Sequence, residues 1–435
     1  MPSESIITYA QEMLDPFTKR PFNNVDAAIL AQLSYAQLAH ERVPQVESTR
    51  AAYDQLIHSK NSRSLLQRGK NYIRSFSHKD SQKLSLPDEQ RFVSLYTAFW
   101  RKEDFESIFP SAANRASMIE LVSAVLASPR FRDIQVGEFA YEFNDERYND
   151  QQFAAMTFLL PDGTEFISLR GTETTFVGWR EDFELAFHKE IPSQISAMTY
   201  LQDMHKHSGG RKMIVAGHSK GGNTAVYAAS TVPPHVQDSL TAVYSFDGPG
   251  FITNLLDTEG YKRIEDRIVK LIPQDSFVGM MFEGREPYAV VHSSAASFSQ
   301  HFLFNWDIDM DSADFVYDDQ LTDNALKIAN SYVEWTNSLD LDTRRKVIDG
   351  VFKIFESTGY SSFTEIADNI TSAAPVMWEA AQNTPAEDRD VTVTAFRELF
   401  SLIFGFNKSV LQWDSFLDKL PFSFKQDNQL RDSHE

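Results

Sequence analysis

The spacing of apolar and polar positions changes twice along the chain. In the first part, apolar residues recur at helical spacing, as in NNVDAAILAQLSYAQLAH, where Asn24 is in place to cap a helix. From about residue 134 short apolar runs take over, and after residue 306 the helical spacing returns. The pattern predicts an N-terminal helical region over 1–130, a core over 131–310 and a C-terminal helical region over 311–435.

The central part alternates strands with helices. A meander of short strands, FAYEFNDERYNDQQFAAMTFLLPDGTEFISLRGT, comes before the β-branched runs KMIVAG, SLTAVYSF, RIVKLIPQD and YAVVHSS. Helical stretches such as ISAMTYLQDMHKH and NTAVYAAST separate these runs. This alternation predicts an α/β fold with a mostly parallel sheet and helices on both faces.

The C-terminal region contains no strand pattern after Trp306. Four amphipathic stretches follow, and they show no internal repeat: TDNALKIANSYVEWTNSL, LDTRRKVIDGVFKIFEST, FTEIADNITSAAPVMWEAA and VTVTAFRELFSLIFGF. We therefore expect a set of packed helices here, serving either as core alone or as cover for an acyl pocket.

Composition and charge exclude several classes of function. A formal net charge of −20 disfavours nucleic acid as a partner, and the absence of cysteine excludes disulfides and thiol catalysis. The N-terminus has no secretory pattern and no apolar run is long enough to span a bilayer, so a cytoplasmic protein is expected. Basic residues spread over 50–84 indicate either a solvated helix face or a peripheral membrane contact.

The most informative stretch is VAGHSKGGNTAVYAA. Gly217, Ser219 and Gly221 form a G-x-S-x-G pattern between a predicted strand and a predicted helix, which is the setting of a nucleophilic serine on a tight turn. The two glycines would give steric clearance, and the helix N-terminus favours developing negative charge. A phosphate-binding loop is excluded because Lys220 comes before the second glycine rather than after it. A purely structural turn remains the alternative.

A nucleophilic serine needs a base and an acid that orients the base. Asp275 and His301 follow Ser219 in that chain order, each beyond the end of a later predicted strand. Asp247 in DGPG is the alternative acid, although an aspartate in such a turn often bonds its own backbone. His292 is the alternative base, but it falls within a predicted strand.

Two further features concern the oxyanion and metals. The backbone N–H of Lys220 and the N–H and hydroxyl of Thr172, which follows the strand ISLRG, are the predicted oxyanion donors, unless RGT is only a strand end. His205 and His207 lack carboxylates at ligand spacing, so the sequence predicts no metal site, and it predicts no cofactor.

Together these motifs resemble the class 3 (fungal-type) lipases of the α/β-hydrolase superfamily, and more closely an uncharacterised bacterial lipase-like family with a GHSKGGN signature. The matching residues are Arg170-Gly171-Thr172, Trp179, Asp182-Phe183 and Gly217-His218-Ser219-Lys220-Gly221-Gly222. The resemblance covers roughly residues 20–310. It implies an α/β-hydrolase fold, a Ser219–Asp275–His301 triad and a lid over 173–182 containing Trp179 and Asp182. One departure is that Phe302, rather than an acidic residue, follows His301.

These observations predict a serine hydrolase acting on carboxylic esters, with a lipid or small-molecule ester as substrate. The alternatives are a peptidase, thioesterase or acyltransferase with the same triad, and a scaffold that retains the turn without catalysis.

Overall fold

The computed structural model describes residues 4–38, 41–68, 84–100, 106–110, 114–252, 254–282, 285–323, 325–327, 329–330, 338–386 and 388–404. The chain forms two compact units, Met1–Leu341 and Asp342–Glu435. The N-terminal helices therefore belong to the same unit as the sheet. The predicted boundaries near residues 130 and 310 stay predictions.

The first unit is a mixed α/β structure. Its described strands are β1 (Phe92–Ser94), β2 (Gln135–Asn144), β3 (Gln151–Leu159), β4 (Glu165–Leu169), β5 (Met213–His218), β6 (Leu240–Phe246), β7 (Ile268–Pro273), β8 (Ala289–Val291), β9 (Ile308–Asp309), β10 (Asp314–Phe315) and β11 (Tyr317–Asp318). Its described α-helices are α1 (Ile6–Glu12), α2 (Asn24–Leu33), α3 (Val46–Arg68), α4 (Asp88–Arg91), α5 (Leu95–Phe99), α6 (Arg115–Ala127), α7 (Phe176–Glu184), α8 (Pro192–His207), α9 (Lys220–Thr231), α10 (Pro234–Gln237) and α11 (Glu259–Lys262).

A nine-stranded sheet in the order β1-β2-β3-β4-β5-β6-β7-β8-β11 forms the centre of this unit. The strands β4 to β8 are mutually parallel, and β1, β2, β3 and β11 pair with their neighbours in antiparallel fashion. The prediction of an α/β chain with a large, mainly parallel sheet is confirmed. The carboxyl ends of five parallel strands meet at one edge, where open α/β sheets place their sites.

Helices cover both faces of the sheet. Since side chains alternate along each strand, neighbouring residues of one strand pack against different helices. In β5, Ile214 and Ala216 join one apolar cluster with residues of α1, α2 and α6, whereas Met213 and Val215 join a second cluster with residues of α8 and α9. All but one of the side chains of β5 and its neighbour β4 are under 5% exposed, which agrees with the apolar runs FI in β4 and MIVA in β5.

Two details differ from the predictions. The cap of α2 is Asn23 rather than Asn24: Asn23 and Asp26 form a reciprocal capping box. Strands also occur after Trp306, since β9, β10 and β11 lie beyond it. These three strands have two residues each, too few for an alternating pattern to be visible in sequence.

The second unit is helical where it is described. Its helices are α12 (Leu341–Glu356), which begins at the unit boundary, α13 (Phe363–Asp368), α14 (Ile370–Gln382) and α15 (Arg389–Phe404). Three of the four predicted C-terminal stretches correspond to these helices. The first, over 322–339, falls partly outside the described residues.

The basic stretch over 50–84 is described only as far as residue 68, in α3. Arg50 in this helix pairs with Asp203 of α8 at 2.6 Å. Lys70, Arg74, Lys79 and Lys83 lie outside the described residues. In the part of the chain that is described, no helix has the length and apolar character needed to cross a bilayer.

Candidate active site

Ser219 is the single residue between β5 and α9, and its backbone is strained. Its φ of 60° and ψ of −130° lie in a region of backbone conformation that residues other than glycine rarely adopt. Its N–H donates to the carbonyl of Phe246 in β6 at 2.9 Å, which ties the turn to the next strand. Strain kept at a buried serine, 8% exposed, is typical of a functional position.

The glycines around Ser219 are required by close backbone approach. A Cβ on Gly217 would overlap the backbone of Gly221, and a Cβ on Gly221 would overlap the carbonyl oxygen of Leu169 in β4. The predicted steric role of these two glycines is confirmed. They allow β4, β5 and the start of α9 to meet at one point.

The carboxylate that meets His301 is that of Asp247. His301 Nδ1 lies 2.6 Å from Asp247 Oδ2, and both side chains are buried. Asp247 comes directly after β6 with a φ of 47°, and its Oδ1 accepts from Ser276 Oγ at 2.5 Å and from the N–H of Gly279 at 3.1 Å. With Nδ1 donating to the carboxylate, Nε2 is the nitrogen of His301 that can accept a proton.

Asp275, the acid predicted from chain order, does not contact His301. Its Oδ2 accepts from Gln300 Nε2 at 3.0 Å, and its Oδ1 accepts from the hydroxyl of Thr322. The physical reason is strand order: β6 lies directly beside β5, whereas β7 lies one strand further away. The prediction of Asp275 as the carboxylate beside the base is therefore corrected to Asp247.

The alternative base, His292, lies apart from these groups. Its Nδ1 is 2.9 Å from Asp318 Oδ2, and the side chain is 43% exposed. His205 and His207 contact Ser239 and Glu138. In the ranges that the structure describes, no cluster of three or more histidine and acidic side chains could hold a metal ion.

The end of β4 passes against Ser219. A Cβ on Gly171 would lie 3.1 Å from Ser219 Cβ and would overlap the carbonyl oxygen of His218. The next residue, Thr172, donates its hydroxyl to Asp182 Oδ2 in α7. Burial raises the pKa of the Asp182 carboxyl to about 6, against an opposing effect of nearby Lys220.

The segment predicted as a lid is held by buried polar contacts. Glu173 pairs with Arg170 at 2.5 Å, and Glu181 accepts from the N–H groups of Gln152 and Ser193, both at 2.9 Å. Trp179 stacks on Phe183 at 6.3 Å between ring centroids. The lid itself stays a prediction.

The contacts of the Lys220 side chain were not predicted from the sequence, which pointed only to the backbone N–H of this residue. The ammonium is buried and donates to Glu181 Oε2 at 2.6 Å and to the carbonyl of Gln152 at 2.9 Å. Asn223, one turn further along α9, donates to the carbonyls of Pro249 and Gly250. Together these two side chains tie the start of α9 to α7 and to the loop that follows Asp247. A lysine among glycines after a strand was a visible signal, but nothing in the sequence named its partner.

Comparisons with known proteins concern the family of the chain. No curated protein matches the chain. One solved structure that matches is titled "Crystal structure of M37 lipase"; it is 14% identical, with a TM-score of 0.30, and the match covers 52% of this chain and 75% of that one. A family model described as Mbeg1-like matches residues 125–353, which include β2 to β11 and every residue of the candidate site. Since this match spans more than half of the chain, the protein belongs to the Mbeg1-like family, a lipase-like family.

Proposed function

We propose that this protein is a serine hydrolase that cleaves carboxylic esters, with Ser219 as nucleophile, His301 as general base and Asp247 as the acid that orients it. The observation that carries the proposal is the 2.6 Å pair between His301 Nδ1 and Asp247 Oδ2. A second contact supports it: the ring of His218, the residue before Ser219, lies 4.5 Å from that of His301.

The first half of the reaction forms an acyl-enzyme. His301 Nε2 takes the proton from Ser219 Oγ as Oγ attacks the ester carbonyl. Asp247 holds the imidazole in the tautomer that leaves Nε2 able to accept, and it stabilises the imidazolium that forms. The same nitrogen then gives the proton to the departing alkoxide, which leaves as an alcohol. In the second half, water attacks the acyl-enzyme by the same route and releases the acid.

The negative oxygen of the tetrahedral intermediate needs donors already in place. In the proposal these are the backbone N–H of Lys220, at the start of α9, and the backbone N–H of Thr172. The hydroxyl of Thr172 is turned toward Asp182, and this contact holds the strand end close to Ser219. Removing one oxyanion donor typically lowers turnover by about 10²–10³-fold.

Covalent labelling tests the nucleophile directly. Purified protein is treated with diisopropyl fluorophosphate, and the mass added is located by peptide mass spectrometry. We expect one phosphoryl group on Ser219 in the wild type and none in Ser219→Ala. Ser230→Ala is the matched control, because Ser230 is a buried serine near the other end of α9 and its hydroxyl donates to the carbonyl of Val226. Equal labelling of wild type and Ser219→Ala would overturn the assignment.

A substrate panel then separates the alternatives. Esters of graded acyl length, the corresponding thioesters and short peptides are compared at equal concentration, with and without an added alcohol acceptor. The proposal expects the highest kcat/KM for esters and hydrolysis to the free acid. Faster turnover of thioesters would indicate a thioesterase, and faster turnover of peptides would indicate a peptidase. Transfer of the acyl group to the added alcohol would indicate an acyltransferase. Absence of Ser219-dependent turnover on every substrate would favour a non-catalytic scaffold.

A further inference from the structure

His218 has both ring nitrogens engaged, and the partners determine its tautomer. Nε2 lies 2.7 Å from the backbone carbonyl oxygen of His301, and Nδ1 lies 2.9 Å from the hydroxyl of Tyr35. A carbonyl oxygen can only accept, so Nε2 carries the proton. Burial lowers the pKa of His218 well below its usual value, which keeps the ring neutral. Nδ1 must then accept, and the Tyr35 hydroxyl donates to it.

Tyr35 comes from outside the strands that build the site. It follows α2, which covers the face of the sheet opposite to α8 and α9. Burial raises the pKa of Tyr35 and keeps its hydroxyl protonated. A Cβ on Gly171 would overlap this hydroxyl, so the glycine beside Thr172 leaves room for it. The segment after α2 therefore reaches the candidate site through this phenol group.

His301 is consequently held at two points. Asp247 binds its Nδ1 at 2.6 Å, and His218 binds its carbonyl at 2.7 Å. The rings of His218 and His301 lie 4.5 Å apart at an interplanar angle of 37°. The contact with Asp247 holds the side chain of His301, and the contact with His218 holds its backbone at the end of a short 3₁₀ turn, Ser297–His301.

We propose that His218 and Tyr35 are positioning residues that hold the backbone of His301 so that its Nε2 is directed at Ser219 Oγ. This inference rests on the proposed function. A neutral His218 also places no second positive charge beside the imidazolium formed during the reaction. An error of about 1 Å in the position of a catalytic group typically costs about 10²-fold in rate.

The test uses the full-length protein and the best ester found in the substrate panel. His218→Phe removes the donor to the His301 carbonyl, and we expect kcat to fall about 10²-fold with KM little changed. His218→Gln restores an N–H near the position of Nε2 and should recover most of the lost turnover. Tyr35→Phe should lower kcat about 10-fold in the wild-type background and have no further effect in His218→Phe, because its hydroxyl acts through His218.

Tyr200→Phe is the matched control. It removes another buried tyrosine hydroxyl, one that donates to the carbonyl of Glu138 at 2.6 Å, away from the candidate site. It should lower the Tm while leaving kcat unchanged. If His218→Phe fails to fold, the kcat of Tyr35→Phe, measured with and without His218→Gln, tests the inference instead, since both of these substitutions are smaller changes.

The outcomes separate the two proposals. If the wild type shows no Ser219-dependent labelling and no Ser219-dependent turnover, the proposed function is overturned, and this inference with it. Retained labelling, together with an unchanged kcat in His218→Phe or a Tyr35→Phe effect that adds fully to that of His218→Phe, would overturn only the inference.

Discussion

Asp247 and Asp275 occupy similar places in the chain and very different places in the site. Asp247 comes directly after β6, and Asp275 comes two residues after β7. Asp247 is 1% exposed and accepts from Ser276, Gly279 and His301. Asp275 is partly exposed and accepts from Gln300 and Thr322. Consecutive residues, Gln300 and His301, thus contact the two aspartates separately.

The difference shows that the loop after β7 supplies donors to Asp247, the proposed acid. Ser276 and Gly279 of this loop direct their donors at Asp247, and Asp275 holds the loop to the turn that contains His301. Which carboxylate reaches His301 is decided by the strand next to β5 and by the donors around the carboxylate, not by residue type or order along the chain.

The largest expected effect separates the two aspartates directly. Asp247→Asn keeps the shape of the side chain but no longer favours the His301 tautomer with a free Nε2, so we expect kcat to fall about 10⁴-fold. Asp275→Asn should change kcat by no more than about threefold, because it touches no reacting group. Steady-state kinetics of both purified variants measures this contrast. Similar losses in the two would show that the pair at 2.6 Å is not the catalytic one.

A third carboxyl, that of Asp182, makes the stability of the protein depend on pH. Its pKa is about 6 in the folded protein because of burial, against 3.8 in an unfolded chain. An acid with a raised folded pKa contributes stability below the unfolded pKa and loses it as the pH rises through the folded pKa. Relative to Asp182→Asn, the wild type should therefore lose up to about 3 kcal/mol in free energy of unfolding between pH 4 and pH 7.

Urea denaturation of both proteins at several pH values measures this difference. Because the side-chain amide introduced by Asp182→Asn can still accept from Thr172, the contact between α7 and the end of β4 is preserved in the variant. A difference that is constant with pH would show that Asp182 is ionised in the folded protein throughout this range.

A smaller effect is expected from the donor to Asp247. Ser276→Ala removes the hydroxyl that lies 2.5 Å from Asp247 Oδ1. The carboxylate keeps the N–H of Gly279, so we expect kcat to fall only about 10-fold, with KM unchanged. A rise in KM at constant kcat would mean that Ser276 contributes to substrate binding rather than to the acid.

The smallest effect is expected from the loop contact of Asp275. Thr322→Val removes the hydroxyl that donates to Asp275 and should lower the free energy of unfolding by about 1 kcal/mol. Turnover should stay at the wild-type level. A loss of turnover as large as that of Ser276→Ala would erase the distinction between the two aspartates.

The fold was largely predictable because β4 to β8 are short, apolar and separated by helices. The two-residue strands β9 to β11 were not, since their pairing depends on tertiary contacts. The turn at Ser219 was predictable because its glycines are local to it. The placement of Asp247 was not, because it depends on His301, 54 residues away, and on donors from the next strand-end loop.

The partner of Lys220 was unpredictable for the same reason. Glu181 is 39 residues earlier in the chain, and GWREDF contains two adjacent acids. Only the structure shows that Glu181 faces the lysine while Asp182 faces Thr172. Adjacent residues of a helix point in different directions, but sequence alone does not show which direction leads to the site.

The buried pair between Lys220 and Glu181 also constrains the predicted lid over 173–182. Separating it leaves two uncompensated charges in the interior, at a cost of about 3–5 kcal/mol. A motion that carried Glu181 away from α9 would therefore be populated in only about one molecule in 10²–10⁴. For the predicted lid to open during fast turnover it must leave this pair intact, which puts its hinge on the N-terminal side of Glu181, within 173–180.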